Sequence, residues 1–173
     1  VAGAGGGRAR TARLRTPTGL FFDAVARRLY IADTGNHLVR VVAMPNGLQG
    51  ALVSTVAGTA MTPGDSGDLG PATAARLFEP SAVTLCPSGD LFLSDTGNHR
   101  VRRIDRQGTI STVLGDGTSS SAGEGAPAAS LPVARPRGLA CNRFGDLFVT
   151  SSTSVRMLFA DDAGLVDGTG AVR

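Results

Sequence analysis

A stretch of twelve residues written twice constrains what this chain can fold into more than any other feature. Leu29-Tyr30-Ile31-Ala32-Asp33-Thr34-Gly35-Asn36-His37-Leu38-Val39-Arg40 returns as Leu91-Phe92-Leu93-Ser94-Asp95-Thr96-Gly97-Asn98-His99-Arg100-Val101-Arg102, an offset of 62 residues. A shorter copy, Leu147-Phe148-Val149-Thr150-Ser151-Ser152, resumes at Val155-Arg156. Self-similarity at a fixed period of this size marks a repeat architecture, in which each unit buries its apolar surface on its neighbours. The length of 173 residues therefore counts units rather than domains.

Inside a unit the apolar runs are short, bounded by turn residues and free of a 3.6-residue period, so they read as strands. Unit one occupies 17–58, with strands at 19–23, 29–33, 37–43 and 52–57. Unit two occupies 80–115, with strands at 81–86, 91–95, 100–105 and 109–114. Unit three occupies 136–173, with strands at 138–141, 147–151, 155–159 and 165–167. Four strands joined by short turns make an antiparallel meander. The second strands are apolar on both faces, which predicts sheets covered on both sides, with the neighbouring unit as the cover. In the turn Thr34-Gly35-Asn36, Gly and Asn are expected to supply positive φ.

Connectors at 59–79 and 116–135 are rich in Gly, Pro, Ala and Ser. Each carries an Ala/Leu segment expected to make a helical turn whose Leu (Leu14, Leu77, Leu131) packs back on the body, ahead of a Pro (Pro17, Pro80, Pro136). Residues 1–16 read as the tail of a preceding unit plus its connector, because Val1-Ala2-Gly3 repeats Val56-Ala57-Gly58. With no starting Met and no signal-type segment, the chain is expected to be a piece of something longer.

These residues carry a family likeness. Asp33-Thr34-Gly35-Asn36-His37-Leu38 and Asp95-Thr96-Gly97-Asn98-His99-Arg100 resemble the NHL repeat, and the flanks Gly19-Leu20, Gly108-Thr109-Ile110 and Thr55-Val56-Ala57-Gly58 agree with it. The resemblance implies an all-β fold of β-propeller blades, commonly six to a ring. Three blades do not close a ring. The open faces are expected to be covered by further blades of the same chain or by a second copy, three plus three.

The hairpin residues are the candidate binding site: Asp33, Asn36, His37, Arg40, Asp95, Asn98, His99 and Arg102. The carboxylates can accept hydrogen bonds from turn N–H groups and pair with the Arg across the hairpin, which makes turn-holding the competing role. His37 and His99 are the only histidines, and neither has the neighbours a zinc site needs. Unit three loses both the Asp and the His, so a shared site there is not expected. Gly64-Asp65-Ser66-Gly67-Asp68 lacks the remaining ligands of a calcium loop, and Ser119 to Ser121 has no base to activate a hydroxyl. No phosphate loop is present, and neither metal nor cofactor is expected.

Composition narrows the field further. A hydrophobic fraction of 42% suffices for a packed core. The formal charge of +3 over this length is a weak field, and with no Trp and one Tyr there is little for RNA bases to stack on. No apolar run reaches the roughly 18 residues a membrane span needs. Cys86 and Cys141 fall outside any CxxC or Cys/His ligand spacing and read as buried thiols, which leaves the redox compartment open, with an extracellular or cell-surface setting favoured. The reading that results is a non-catalytic scaffold whose strand 2–3 turns and connectors present one face to a protein or glycan. A lyase or hydrolase with its site in the central channel is the alternative, and an RNA-binding propeller comes third.

Overall fold

The computed structural model describes residues 7–47, 50–120, 127–161, 164 and 166–169. Among them are twelve β-strands and five short 3-10 turns. The strands are β1 (Gly7–Arg8), β2 (Leu20–Asp23), β3 (Arg28–Asp33), β4 (Leu38–Ala43), β5 (Leu52–Ala57), β6 (Pro80–Leu85), β7 (Leu91–Asp95), β8 (Arg100–Ile104), β9 (Ile110–Leu114), β10 (Leu139–Cys141), β11 (Leu147–Thr150) and β12 (Val155–Leu158). They pair antiparallel into three sheets, β1-β5-β4-β3-β2, β6-β7-β8-β9 and β10-β11-β12. These are three blades of an all-β propeller fold, as the repeat predicts.

Period-two alternation fixes which side of each strand meets which neighbour. In β3, Tyr30 faces blade 2 while Leu29 and Ile31 face the opposite way. In β7, Leu91 and Leu93 face blade 1 and Phe92 faces blade 3. Two apolar clusters result, one per seam. Phe21, Tyr30, Val39 and Val41 of blade 1 meet Val83, Leu91, Leu93 and Ile104 of blade 2. Phe92, Val101 and Val113 of blade 2 meet Leu147, Val149 and Leu158 of blade 3. We call the side of a blade toward the earlier unit its leading face and the other its trailing face.

The connectors make the expected single turns, at Ala9–Thr11, Ala72–Ala74 and Ala128–Ser130. Leu77 and Leu131 pack inside the seams, whereas Leu14 is 39% exposed because no described blade lies before it. Each connector also lies along the outermost strand of the blade it enters. Gly7 and Arg8 pair with Val53 and Leu52, and Pro71 bridges Thr109.

Three expectations need correction. The fourth strand of unit three does not run over 165–167: Leu165 lies outside the described residues, and Val166 and Asp167 are not in a strand. The Ala129 N–H donates to the Gly168 carbonyl, which ties this segment to the connector of blade 3. Positive φ in the hairpin belongs to His37 (φ 59) and His99 (φ 55), since Thr34–Asn36 and Thr96–Asn98 wind as 3-10 turns. Gly35 and Gly97 serve close approach instead: a Cβ there would sit 2.6 Å from Arg15 Cγ or 2.8 Å from the Phe78 carbonyl oxygen.

The third correction concerns the cysteines, which are bonded to each other rather than free, with Cα atoms 5.4 Å apart. Cys141 pairs with Leu147 in the register where Leu85 pairs with Leu91, so it lies on a leading face. Cys86 follows Leu85 and therefore points the other way, onto the trailing face of blade 2. The disulfide staples blade 2 to blade 3 across their seam.

Candidate functional site

Each hairpin Asp holds the connector of its own blade. Asp33 Oδ1 accepts the Arg15 N–H at 2.7 Å and its Oδ2 accepts Asn36 Nδ2 at 2.9 Å. Asp95 repeats this with the Phe78 N–H at 2.7 Å and Asn98 Nδ2 at 2.8 Å. The Gly35 and Gly97 N–H groups return bonds to the carbonyls of Arg15 and Phe78, so the connector is clamped on both of its polar groups. Both carboxylates are fully buried. Burial pushes Asp95 up to about 6, against the lowering effect of its Asn98, Phe78 and Arg102 donors.

The arginines extend the same clamp. Arg40, Arg102 and Arg156 occupy one register, opposite Ile31, Leu93 and Val149, and all three are buried. Arg102 donates from NH2 to Asp68 Oδ1 at 2.7 Å and from NH1 to Asp95 Oδ2 at 3.4 Å. Asp68 also takes the Thr112 hydroxyl, which ties the 59–79 connector to blade 2. Arg156, in the blade whose hairpin has Ser151 in place of the Asp, donates to the Pro132 carbonyl at 2.7 Å. The guanidinium of unit three thus also holds its connector, by a backbone carbonyl.

The histidines work between blades. His37 Nδ1 accepts the Glu79 N–H at 3.2 Å, and His99 Nδ1 accepts the Arg135 N–H at 3.0 Å. Glu79 and Arg135 open the next blade, each just before a proline and each at positive φ (50 and 47). An acceptor Nδ1 requires the neutral ring with its proton on Nε2. The surroundings agree. Burial lowers the His37 pKa, with Glu79 opposing and Arg15 adding to the effect, and burial followed by Arg135 lowers that of His99.

Two hydroxyl bonds complete each seam, and neither was legible beforehand. Thr34 Oγ1 donates to the Pro80 carbonyl at 2.7 Å and Thr96 Oγ1 to the Pro136 carbonyl at 2.6 Å. Thr18 Oγ1 reaches the Ser81 carbonyl at 2.9 Å and Ser81 Oγ the Arg137 carbonyl at 3.3 Å. One blade thus grips three consecutive backbone groups of the next: the N–H of the pre-proline residue, the proline carbonyl and the carbonyl after it. The available signal was the Thr inside both hairpin copies, together with a hydroxyl residue directly after Pro17 and Pro80.

Of the eight predicted residues, the structure thus groups Asp33, Asn36 and Arg40 in one hairpin and Asp95, Asn98 and Arg102 in the next, with His37 and His99 turned to the seams. Asp33, Asn36, Arg40, Asp95 and Arg102 are buried, while Asn98 and the two histidines are half-buried. Solvent at this end of the blades meets the connectors instead, through Arg13, Arg15, Met61 and Phe78.

Stacked antiparallel meanders joined by this repeated clamp define an NHL-type β-propeller. A family model described as the Teneurin NHL domain matches residues 20–122, more than half of the chain, and the chain belongs to that family. NHL repeat-containing protein 2 of Homo sapiens and of Gallus gallus are 29% and 30% identical to it over 106 residues. That alignment takes in 60% of this chain but 14% of each relative, so the chain spans a small part of their length. Among solved structures, an auxiliary nutrient binding protein from Bacteroides thetaiotaomicron superposes with a TM-score of 0.61 at 20% identity, covering 75% of this chain and 33% of that one. A catalytically inactive virginiamycin B lyase from Staphylococcus aureus with quinupristin superposes with a TM-score of 0.55 at 12% identity, covering 91% and 40%. Likeness at these identities shows the fold.

Proposed function

We propose that the chain is a non-catalytic propeller scaffold whose connectors and strand 2–3 turns form a binding surface for a protein or a glycan. One observation carries this reading: the repeated Asp, Asn and His side chains are taken up in holding the hairpin, the connector and the seam, and Arg102 in pairing with Asp68 and Asp95. What they order is a rigid loop surface with cationic and apolar side chains outward, and rigid scaffolds displaying loops are a common way to build recognition surfaces. The Arg15 guanidinium lies 3.9 Å from Met61 Sδ, so charge and apolar area stand side by side on that surface. A binding protein among the structural neighbours supports the class without naming a partner. The Cys86–Cys141 bond supports an oxidising compartment, hence an extracellular or cell-surface setting.

The test is a glycan array and a panel of purified extracellular domains probed with the full chain and with an Arg15→Ala/Met61→Ala variant. Binding that falls about tenfold in the variant, with its far-UV spectrum unchanged, is the expected result. Turnover of an ester, lactone or uronate substrate panel, unaffected by the same variant, overturns the reading in favour of a channel enzyme.

A further inference from the structure

Blade 1 holds the three-point seam in its receiving form, with no described residue in it. Thr16 stands where Glu79 and Arg135 stand, before Pro17, and is wound to the same positive φ, 43. In blade 2 the N–H of Glu79 and the carbonyls of Pro80 and Ser81 are taken by His37, Thr34 and Thr18. In blade 3 those of Arg135, Pro136 and Arg137 are taken by His99, Thr96 and Ser81. The Thr16 N–H and the Pro17 and Thr18 carbonyls have no such partner among the described residues. Beside them the leading face exposes Leu20 (65%) and Phe22 (54%), whereas Val83, in Leu20's register, is 4% exposed under blade 1. Pro80 and Pro136 are buried and Pro17 is exposed.

We infer that this leading face is a socket for a blade bearing an intact Asp-Thr-Gly-Asn-His hairpin and a hydroxyl residue on its inner strand, and that it discriminates against a second copy of this chain. The only blade a second copy could offer in the same sense is blade 3, by its trailing face, and blade 3 has lost all three gripping groups. Its hairpin closes two residues earlier, with the Ser151 N–H bonded to the Ser154 carbonyl, and holds no imidazole. Ser152, in place of Thr34 and Thr96, spends its hydroxyl on the Ala134 carbonyl. Arg137 replaces the Thr18 and Ser81 hydroxyls. A copy docked through blade 3 would therefore leave one N–H and two carbonyls of blade 1 unpaired inside a closed seam. Each such group costs roughly a hydrogen bond's worth of desolvation, so an intact-hairpin blade outcompetes it. This inference is independent of what the connector surface binds.

The probe is the chain's own blade 2. Residues 59–112 are joined directly to Val1, so that the copy's fourth strand runs into the Val1-Ala2-Gly3 triplet that repeats Val56-Ala57-Gly58. Amide exchange at Thr16 is then expected to slow at least tenfold relative to the unextended chain. The slowing at Thr16 should vanish when the copy's own latch is removed by His99→Ala in the added segment, while the β2 amides stay protected by the apolar contact. An extension built from blade 3 instead should leave Thr16 unprotected. The unextended chain supplies a reading that needs no fusion to fold: its Thr16 exchange and its sedimentation should not change with concentration. A head-to-tail dimer that protects Thr16, or a folded blade 2 fusion that does not, overturns the inference.

Discussion

At the residue scale the two histidines do their work neutral, and that makes them sensitive to acid. Their folded-state pKa values lie below the ordinary 6.5, so the stabilisation they contribute is fully present above about pH 6.5 and is lost as the pH falls through the folded values. Protonation turns Nδ1 from acceptor to donor and sets it against the Glu79 and Arg135 N–H groups. Asp95 works with the opposite sign. Its folded value of about 6 lies above the ordinary 3.8, so its contribution is greatest below that lower value and is lost as the pH rises through 6. The two effects separate in a His37→Asn/His99→Asn variant. Asn tolerates the left-handed backbone of these positions and keeps a side-chain acceptor, but it does not titrate. Urea midpoints measured between pH 7.5 and 5 are expected to fall in the wild type relative to the variant, and parallel curves would show that the histidines are not latches.

At the scale of elements, the strands were the legible part, and the reasons are physical. Short apolar runs and the turn residues that bound them are local signals, which is why β5 and β7 fall on 52–57 and 91–95 as read from the residues. What lay hidden was set between blades. Cys86 and Cys141 occupy registers one residue apart, and only the stacking of two sheets turns that offset into a facing pair. The hairpin motif likewise looked like a surface site because its residues are polar, and the clamp on the connector shows only once the connector is folded over it. The disulfide closes a segment with a sequence separation of 55, worth about 4 kcal/mol on the chain-entropy account. A Cys86→Ser/Cys141→Ser variant should therefore melt roughly 10 °C lower for a chain of this size. Calorimetry checks this, and the wild type under reducing conditions should show a similar loss.

For the molecule as a whole, stability is a sum over blades and seams, as in other repeat arrays. Blade 2 is covered on both faces and stapled on one, whereas blade 1 presents Leu20 and Phe22, and blade 3 presents Val155 and Phe159, to solvent. Opening blade 2 must break two seams, and opening either flank breaks one. Hydrogen exchange in the native state should therefore grade along the chain, slowest over 91–114 and faster over 20–33 and 147–158. Phe92, fully buried between blades 2 and 3, gives the gradient a lever. Phe92→Ala removes roughly 3–5 kcal/mol of packing. It should speed exchange in blades 2 and 3 while leaving the blade 1–blade 2 seam, with its own His37, Thr34 and Thr18 contacts, largely as it was. Uniform acceleration over all three blades, seen by mass spectrometry of exchanged peptides, would instead mean that the arc opens as one cooperative unit and that the seams do not act one by one.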